Sequence, residues 1–355
     1  NKKSLFTIIL ELQNIYENLI EDLKKLKADN LTSFEKKQLA LIEEEIFSLN
    51  LNLDLTFSIK NRNIFFNLFS KFRELFKAYI NLITLSSWQS PDFGYSLENQ
   101  HGLTQKKIYS FQNDYQRYRV NTLNIENIIN SNFKEIINVK QKTYLFNSGM
   151  GAFSTLIQSF SDFNIQKVIA GENLYFEVKA ILKYFPNVIF FSENNISPIL
   201  DFIHKQQPKY LFFDPISNSA RLKSFELKKI FEFYKNNPPK EDVCIVIDTT
   251  LTIELFKISD YFDNFFPDKL NIFLFRSLQK LDQNGLDLVT GGIITHYGNF
   301  KLPIDDLRQM GTMPTEKIAL TFEKLGLKNN QKRFLRHAKN ALLISCYLNN
   351  FTENK

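Results

Sequence analysis

The chain has 355 residues, 44% of them hydrophobic and 14% aromatic, which supplies a large core and excludes an intrinsically disordered protein. Its formal charge of +6 is spread along the sequence with no basic block, so no nucleic-acid face is expected and an anionic small ligand suits the balance. Two cysteines form no CxxC, four scattered histidines offer no metal spacing, and no apolar run reaches membrane-spanning length; the expectation is a cytoplasmic protein with no metal, nucleic-acid or membrane partner.

Residues 4–28 read as a helix that Ser4 can cap, with Leu5, Ile8, Leu12, Ile15 and Leu19 at helical spacing. A second helix starts at Ser33. A third spans 64–85 and carries an aromatic stripe, Phe65, Phe69, Phe72, Phe76 and Tyr79, whose use is core or subunit interface. Ser-Pro-Asp-Phe-Gly at 90–94 breaks the pattern. From about 140 short apolar runs alternate with helical stretches. The runs are Thr143–Asn147, Lys167–Ala170, Asn187–Ser192, Tyr210–Asp214, Val243–Asp248, Ile272–Phe275 and Leu288–Ile294; the helices fall near 152–161, 175–184, 196–205 and 224–235. Runs buried on both faces and joined by helices predict an α/β domain on a mainly parallel sheet of seven strands, with its ligand beyond the carboxyl ends of the strands.

Those ends carry the chemistry. The first run leads through Ser148-Gly149-Met150 into a helix, whose free N–H groups can hold a phosphate. The second leads to Tyr175 and the fourth to Asn218. The fifth ends in Asp248-Thr249-Thr250; a carboxylate leaving a hydrophobic strand needs a cationic or N–H partner. The sixth leads to Ser277 and Lys280, a lysine that partial desolvation would ready for a Schiff base. A phosphate nest, a stacking aromatic, an amide, a buried acid and a lysine together fit pyridoxal 5′-phosphate (PLP).

On these residues, from about 109 to 350, the sequence resembles the cystathionine γ-synthase-like (Cys/Met metabolism) family of fold-type-I PLP enzymes. Ser148-Gly149-Met150 is similar to its phosphate turn, Tyr175 to its stacking tyrosine, and Asn218 to its contact to the ring hydroxyl. Asp248-Thr249-Thr250 is similar to its Asp-Asn-Thr, and Ser277-Leu-Gln279-Lys280 to its Ser-x-Thr-Lys. Tyr115-Gln-Arg117 looks like the pair that reaches the phosphate of a neighbouring subunit, which implies a homodimer or homotetramer with shared sites.

The resemblance implies cofactor contacts from Ser148, Gly149, Met150, Tyr175, Asn218, Asp248, Thr250, Ser277, Gln279, Lys280, Tyr115 and Arg117, with Lys280, Tyr175 and Asp248 catalytic. The helical periodicity gives a helical N-terminal extension over 1–105; the resemblance implies a PLP-binding α/β domain over 106–300 and the beginning of a smaller C-terminal domain over 301–355, without the family's carboxylate-binding arginine. The expected activity is a PLP-dependent β/γ-elimination or replacement on an amino acid with a side-chain leaving group, in the manner of the family's lyases and transferases. The departures include Gln279 where a hydroxyl residue is usual and Gln283-Asn284-Gly285 where the family has Gly-Gly-His. They motivate an alternative, a degenerate homologue that serves as a scaffold or regulatory subunit.

Overall fold

The computed structural model describes residues 122–131, 139–219, 223–262, 265–283, 285–325 and 330–353, with scattered helical positions between 21 and 78. The expected helices at 4–28, from Ser33 and at 64–85 lie largely outside the described residues; within the last, Phe76 is helical and buried. The chain divides into two compact units, 1–121 with 315–325, and 122–314 with 326–355.

The second unit runs α1 (Leu123–Ser131), β1 (Gln141–Phe146), α2 (Gly149–Ser159), β2 (Val168–Gly171), α3 (Phe176–Leu182), β3 (Val188–Phe191), α4 (Ser197–Gln206), β4 (Tyr210–Phe213) and α5 (Leu227–Asn236). It continues with β5 (Val243–Asp248), β6 (Leu270–Ser277), β7 (Gly292–Tyr297) and α6 (Ile304–Arg308). Helix α7 (Glu316–Leu325) belongs to the first unit, and α8 (Asn330–Glu353) to the second. No helix among the described residues is long and apolar enough to cross a membrane.

The seven strands form one sheet in the order β1-β7-β6-β5-β4-β2-β3. β3, β2, β4, β5 and β6 pair in parallel, and β7 runs antiparallel to both β6 and β1. This is the mainly parallel, seven-stranded α/β architecture that the alternating runs predict. The strand pleat sorts the core into two layers. Ile169, Leu211, Phe213, Ile245, Ile247, Ile272 and Leu274 face one side, where α4 and α5 cover them. Val168, Ala170, Phe212, Val246, Phe273 and Phe275 face the other, under α2 and α3. Helix α5 shows how the covering works: Leu227, Ile230, Phe231 and Tyr234, at helical spacing, are its buried residues, while Lys228 and Lys229 are exposed.

One strand departs from the sequence reading. The apolar run from Leu288 was expected to be a strand, yet β7 begins only at Gly292. The backbone at 288–289 is engaged elsewhere. The side chain of Gln283, wholly buried, accepts the N–H groups of Leu288 (2.7 Å) and Val289 (3.0 Å) and donates to the carbonyls of Val289 (2.6 Å) and Leu278 (3.3 Å). A side chain satisfies those groups in place of a ladder.

β1 is fastened by a buried ionic group. Arg308 meets Glu126 at 2.6 Å and Asp305 at 2.8 Å, and the same Glu126 oxygen accepts the Leu145 N–H at 2.8 Å. On β7, His296 is buried and stacks on Phe273 with ring centroids 4.2 Å apart. Burial lowers its pKa to about 4. The folded protein thus keeps His296 neutral while the unfolded chain takes up a proton below about 6.5, so stability present above that pH is lost as pH falls toward 4, by about 3 kcal/mol in full. His296→Gln is expected to remove this part of the acid sensitivity. Urea titrations of both proteins at pH 7 and pH 4.5 check it; an equal loss in the two assigns the sensitivity elsewhere.

Candidate active site

Four loops, those after β1, β2, β5 and β6, meet at the carboxyl end of the sheet. Strand β1 turns at Ser148 into α2, where the Ser148 hydroxyl accepts the Gly151 N–H at 2.9 Å and caps the helix. Gly149 and Met150 begin α2, and their N–H groups have no partner within the helix. The turn is pressed onto the neighbouring strand ends. A Cβ on Gly149 would sit 2.9 Å from Ser277, and one on Gly292 would sit 2.2 Å from the Ser148 carbonyl oxygen. Glycine at both places is a condition of close approach, which brings the α2 N-terminus to the end of β6.

β5 delivers Asp248 and then Thr250. The Thr250 N–H donates to Asp248 at 2.8 Å, and the Thr250 hydroxyl accepts the Ser277 N–H at 3.0 Å, tying the ends of β5 and β6 together. Burial pushes the Asp248 carboxyl above its ordinary range, against the hydrogen bonds from Thr250 and the charge of Lys280. Past the end of β6, Lys280 lies with Nζ 4.5 Å from the centre of the Tyr175 ring. Burial raises the Tyr175 phenol too, with the carboxylates of Glu177 and Asp248 acting the same way, so the protonated form is favoured.

Ser148, Gly149, Met150, Tyr175, Asp248, Thr250, Ser277, Gln279 and Lys280 line one cavity of about 300 Å³. Asn218 lines a smaller adjoining space with Asp214, Asp248 and Lys280. Of the expected site residues, Tyr115 and Arg117 lie outside the described residues. Lys280 lies in the loop beyond β6, as the sequence reading placed it, with an exposed side chain that lines the cavity.

The lysine loop itself is fixed from beneath. Arg276 and Asp282, on either side of Lys280 in sequence, form an ion pair at 2.9 Å in which both side chains are at most 1% exposed. With the Gln283 bonds, this sets the loop's path. The sequence reading missed Glu177 and Phe275, which also line the cavity, and the role of Asp214. Asp214 accepts the Tyr175 N–H at 3.0 Å and the Asn218 side-chain amide. A signal for it was present: Asp214, like Asp248, ends an apolar run, and the β4–β5 register sets Phe213 beside Ile247.

The donor set fits PLP. An acid whose pKa is raised by burial calls for a cationic partner such as a protonated ring nitrogen, and a helix N-terminus with free N–H groups calls for an anion. An aromatic wall and a primary amine line the same cavity.

The fold and cavity define an α/β domain with a cavity at the carboxyl ends of a mainly parallel sheet, the place where such sheets hold ligands. No protein-family model matches the chain, and no curated protein matches it. Among solved structures it is similar to a cystathionine gamma-lyase of Lactobacillus plantarum complexed with L-serine, at 19% identity over 69% of this chain and 59% of that one (TM-score 0.47). It is also similar to MetB of Corynebacterium glutamicum (17% identity, 59% and 52%, TM-score 0.44) and to a yeast cystathionine gamma-lyase (16%, 63% and 54%, TM-score 0.43). The matched portion spans between 52% and 59% of the length of these three proteins. The likenesses are partial, and the architecture given above rests on the strand order itself.

Proposed function

We propose that this chain is a PLP-dependent enzyme that acts on an amino acid bearing a leaving group at its β or γ carbon, by elimination or replacement. The observation that carries the reading is the meeting of Lys280, Tyr175, Asp248 and the α2 N-terminus at one cavity. When bound, PLP supplies an aldehyde that takes up a primary amine and a ring that accepts negative charge from the adjoining carbon.

The chain's residues do the rest. The N–H groups at the start of α2, with Ser277, bind the phosphate; Gln279 brings a longer amide to the place where the family uses a hydroxyl. Asp248, oriented by the Thr250 N–H, holds a proton on the ring nitrogen. Asn218 takes the ring hydroxyl. Lys280 Nζ is the resting amine, and once free it removes the proton from the substrate α carbon and, for γ chemistry, moves one at the β carbon. Tyr175 packs on the ring and, with its phenol kept protonated, can donate a proton to the leaving group. Tyr115 and Arg117 are taken to act across the interface of a homodimer or homotetramer.

Protein mixed with PLP is expected to absorb near ~420 nm, and borohydride is expected to leave a pyridoxyl group on Lys280, located by peptide mass. Lys280→Ala should take no label and lose turnover while keeping its melting temperature, because an exposed side chain is removed. A label on another lysine would end this account of the site. The substituted Gln279 motivates, as the second reading, a scaffold that has kept the fold, against which the retained Lys280, Asp248, Tyr175 and Asn218 stand; a protein with neither the band nor the label would support it.

A further inference from the structure

A second acid, Asp214, itself buried, stands next to the half-buried Asp248 and takes no part in the steps above. It follows directly on β4, and the parallel register that pairs Phe213 with Ile247 brings it alongside the end of β5. It is 3% exposed, and a single oxygen, Oδ2, accepts both the Tyr175 N–H (3.0 Å) and the Asn218 side-chain amide. The tie extends outward. The Asn218 N–H donates to the Asn173 carbonyl at 2.8 Å, and Asn173 gives its own N–H (3.0 Å) and side-chain amide (2.7 Å) to Oε2 of Glu193. Two acids therefore hold the segment 173–175 and Asn218 as one piece. A buried carboxyl serves packing less well than an apolar side chain of its size, so its presence calls for the bonds it accepts. Its two partners are the residue packed against Lys280 and the amide beside Asp248.

We propose that Asp214 is a positioning residue for the cofactor ring: by holding the Tyr175 backbone and the Asn218 amide on one oxygen, it sets the aromatic wall and the ring-hydroxyl contact relative to each other. The proposal rests on the PLP reading. Burial and the neighbouring charge of Asp248 both push the Asp214 carboxyl well up, which favours a neutral acceptor and avoids a second charge beside Asp248. From other elements, Glu193 and Asp248 add negative potential, and Lys280 lines the same space.

The test compares Asp214→Ala with Asp214→Asn in the full chain. Asparagine keeps an acceptor oxygen and the size; alanine keeps neither. Hydrogen exchange at the Tyr175 amide, measured without PLP, is expected to be about tenfold faster in Asp214→Ala and within about threefold of wild type in Asp214→Asn. The PLP dissociation constant, from absorbance titration, is expected to rise about tenfold in the first and less than about threefold in the second. Melting curves establish that each is folded, and Asp214→Leu, near the same size and without an acceptor, replaces the alanine variant if that one is not. Rescue by asparagine in both readouts supports the proposal, since a merely structural loss would not track the acceptor. Asparagine as weak as alanine, or alanine equal to wild type in exchange, overturns it. A wild type that binds no PLP ends the proposed function and with it the cofactor role, whereas normal PLP binding with unchanged Tyr175 exchange in Asp214→Ala ends this proposal alone.

Discussion

Asp248→Asn is expected to lose about two orders of magnitude in turnover, roughly 3 kcal/mol of transition-state stabilisation, and at the same time to melt higher than wild type without ligand. Both effects come from one carboxyl. With PLP bound, an ionised Asp248 keeps a proton on the ring nitrogen; asparagine can hydrogen-bond there but does not favour that proton. Without ligand, the same carboxyl is a burden. Burial raises its pKa, so at neutral pH the folded protein bears a cost that the unfolded chain does not. That cost is absent below the ordinary carboxylate value of about 4, grows as pH rises toward the raised folded value, and is removed by asparagine. Substrate α-proton exchange at full PLP occupancy measures the first effect, and melting curves at pH 7 and pH 4 measure the second. Near-normal exchange in a loaded variant would place the ring nitrogen away from Asp248. A melting temperature that did not rise at pH 7 would show that the carboxyl is already compensated without ligand.

Gln283→Leu is expected to cost on the order of 4 kcal/mol. Leucine fills similar space but leaves the N–H groups of Leu288 and Val289 and the carbonyls of Leu278 and Val289 without the partner that now serves all four. Where such groups remain buried, each carries a desolvation penalty of about 1–3 kcal/mol, and partial opening to water relieves some of it. Urea unfolding gives the total. Hydrogen exchange at 288 and 289 gives the local part, and these amides should be the most accelerated in the unit. A loss below about 1 kcal/mol would mean that the loop finds water or new partners without strain.

Much of the sheet was legible because β2, β4, β5 and β6 are covered on both faces, so each reads as an unbroken apolar run that stops where chemistry begins. Asp248 was legible for the same reason: a carboxylate at the end of Val243–Ile247 has no apolar explanation. The start of β7 was not, since Leu288-Val289 has a strand's composition and only Gln283, five and six positions earlier, diverts its backbone. Asp214 as the holder of Tyr175 was hidden by 39 residues of separation and by a contact that exists only once β2, β4 and β5 are in register. The buried Arg276–Asp282 pair that brackets Lys280 was not legible either, since no periodicity records a pairing across a loop.

The placement of β1 bears on how such a protein comes to be made. β1 is the earliest strand of the sheet to leave the ribosome and β7 the latest, yet the two lie side by side, with Gln141 against Tyr297 and Phe146 against Gly292. Until β7 has been translated, Tyr144-Leu145-Phe146 has no neighbour in the sheet and β6 has an open edge. The sheet therefore closes late, by a contact between distant parts of the chain, and until then β1 and the open edge of β6 stay within reach of chaperones and of other nascent copies.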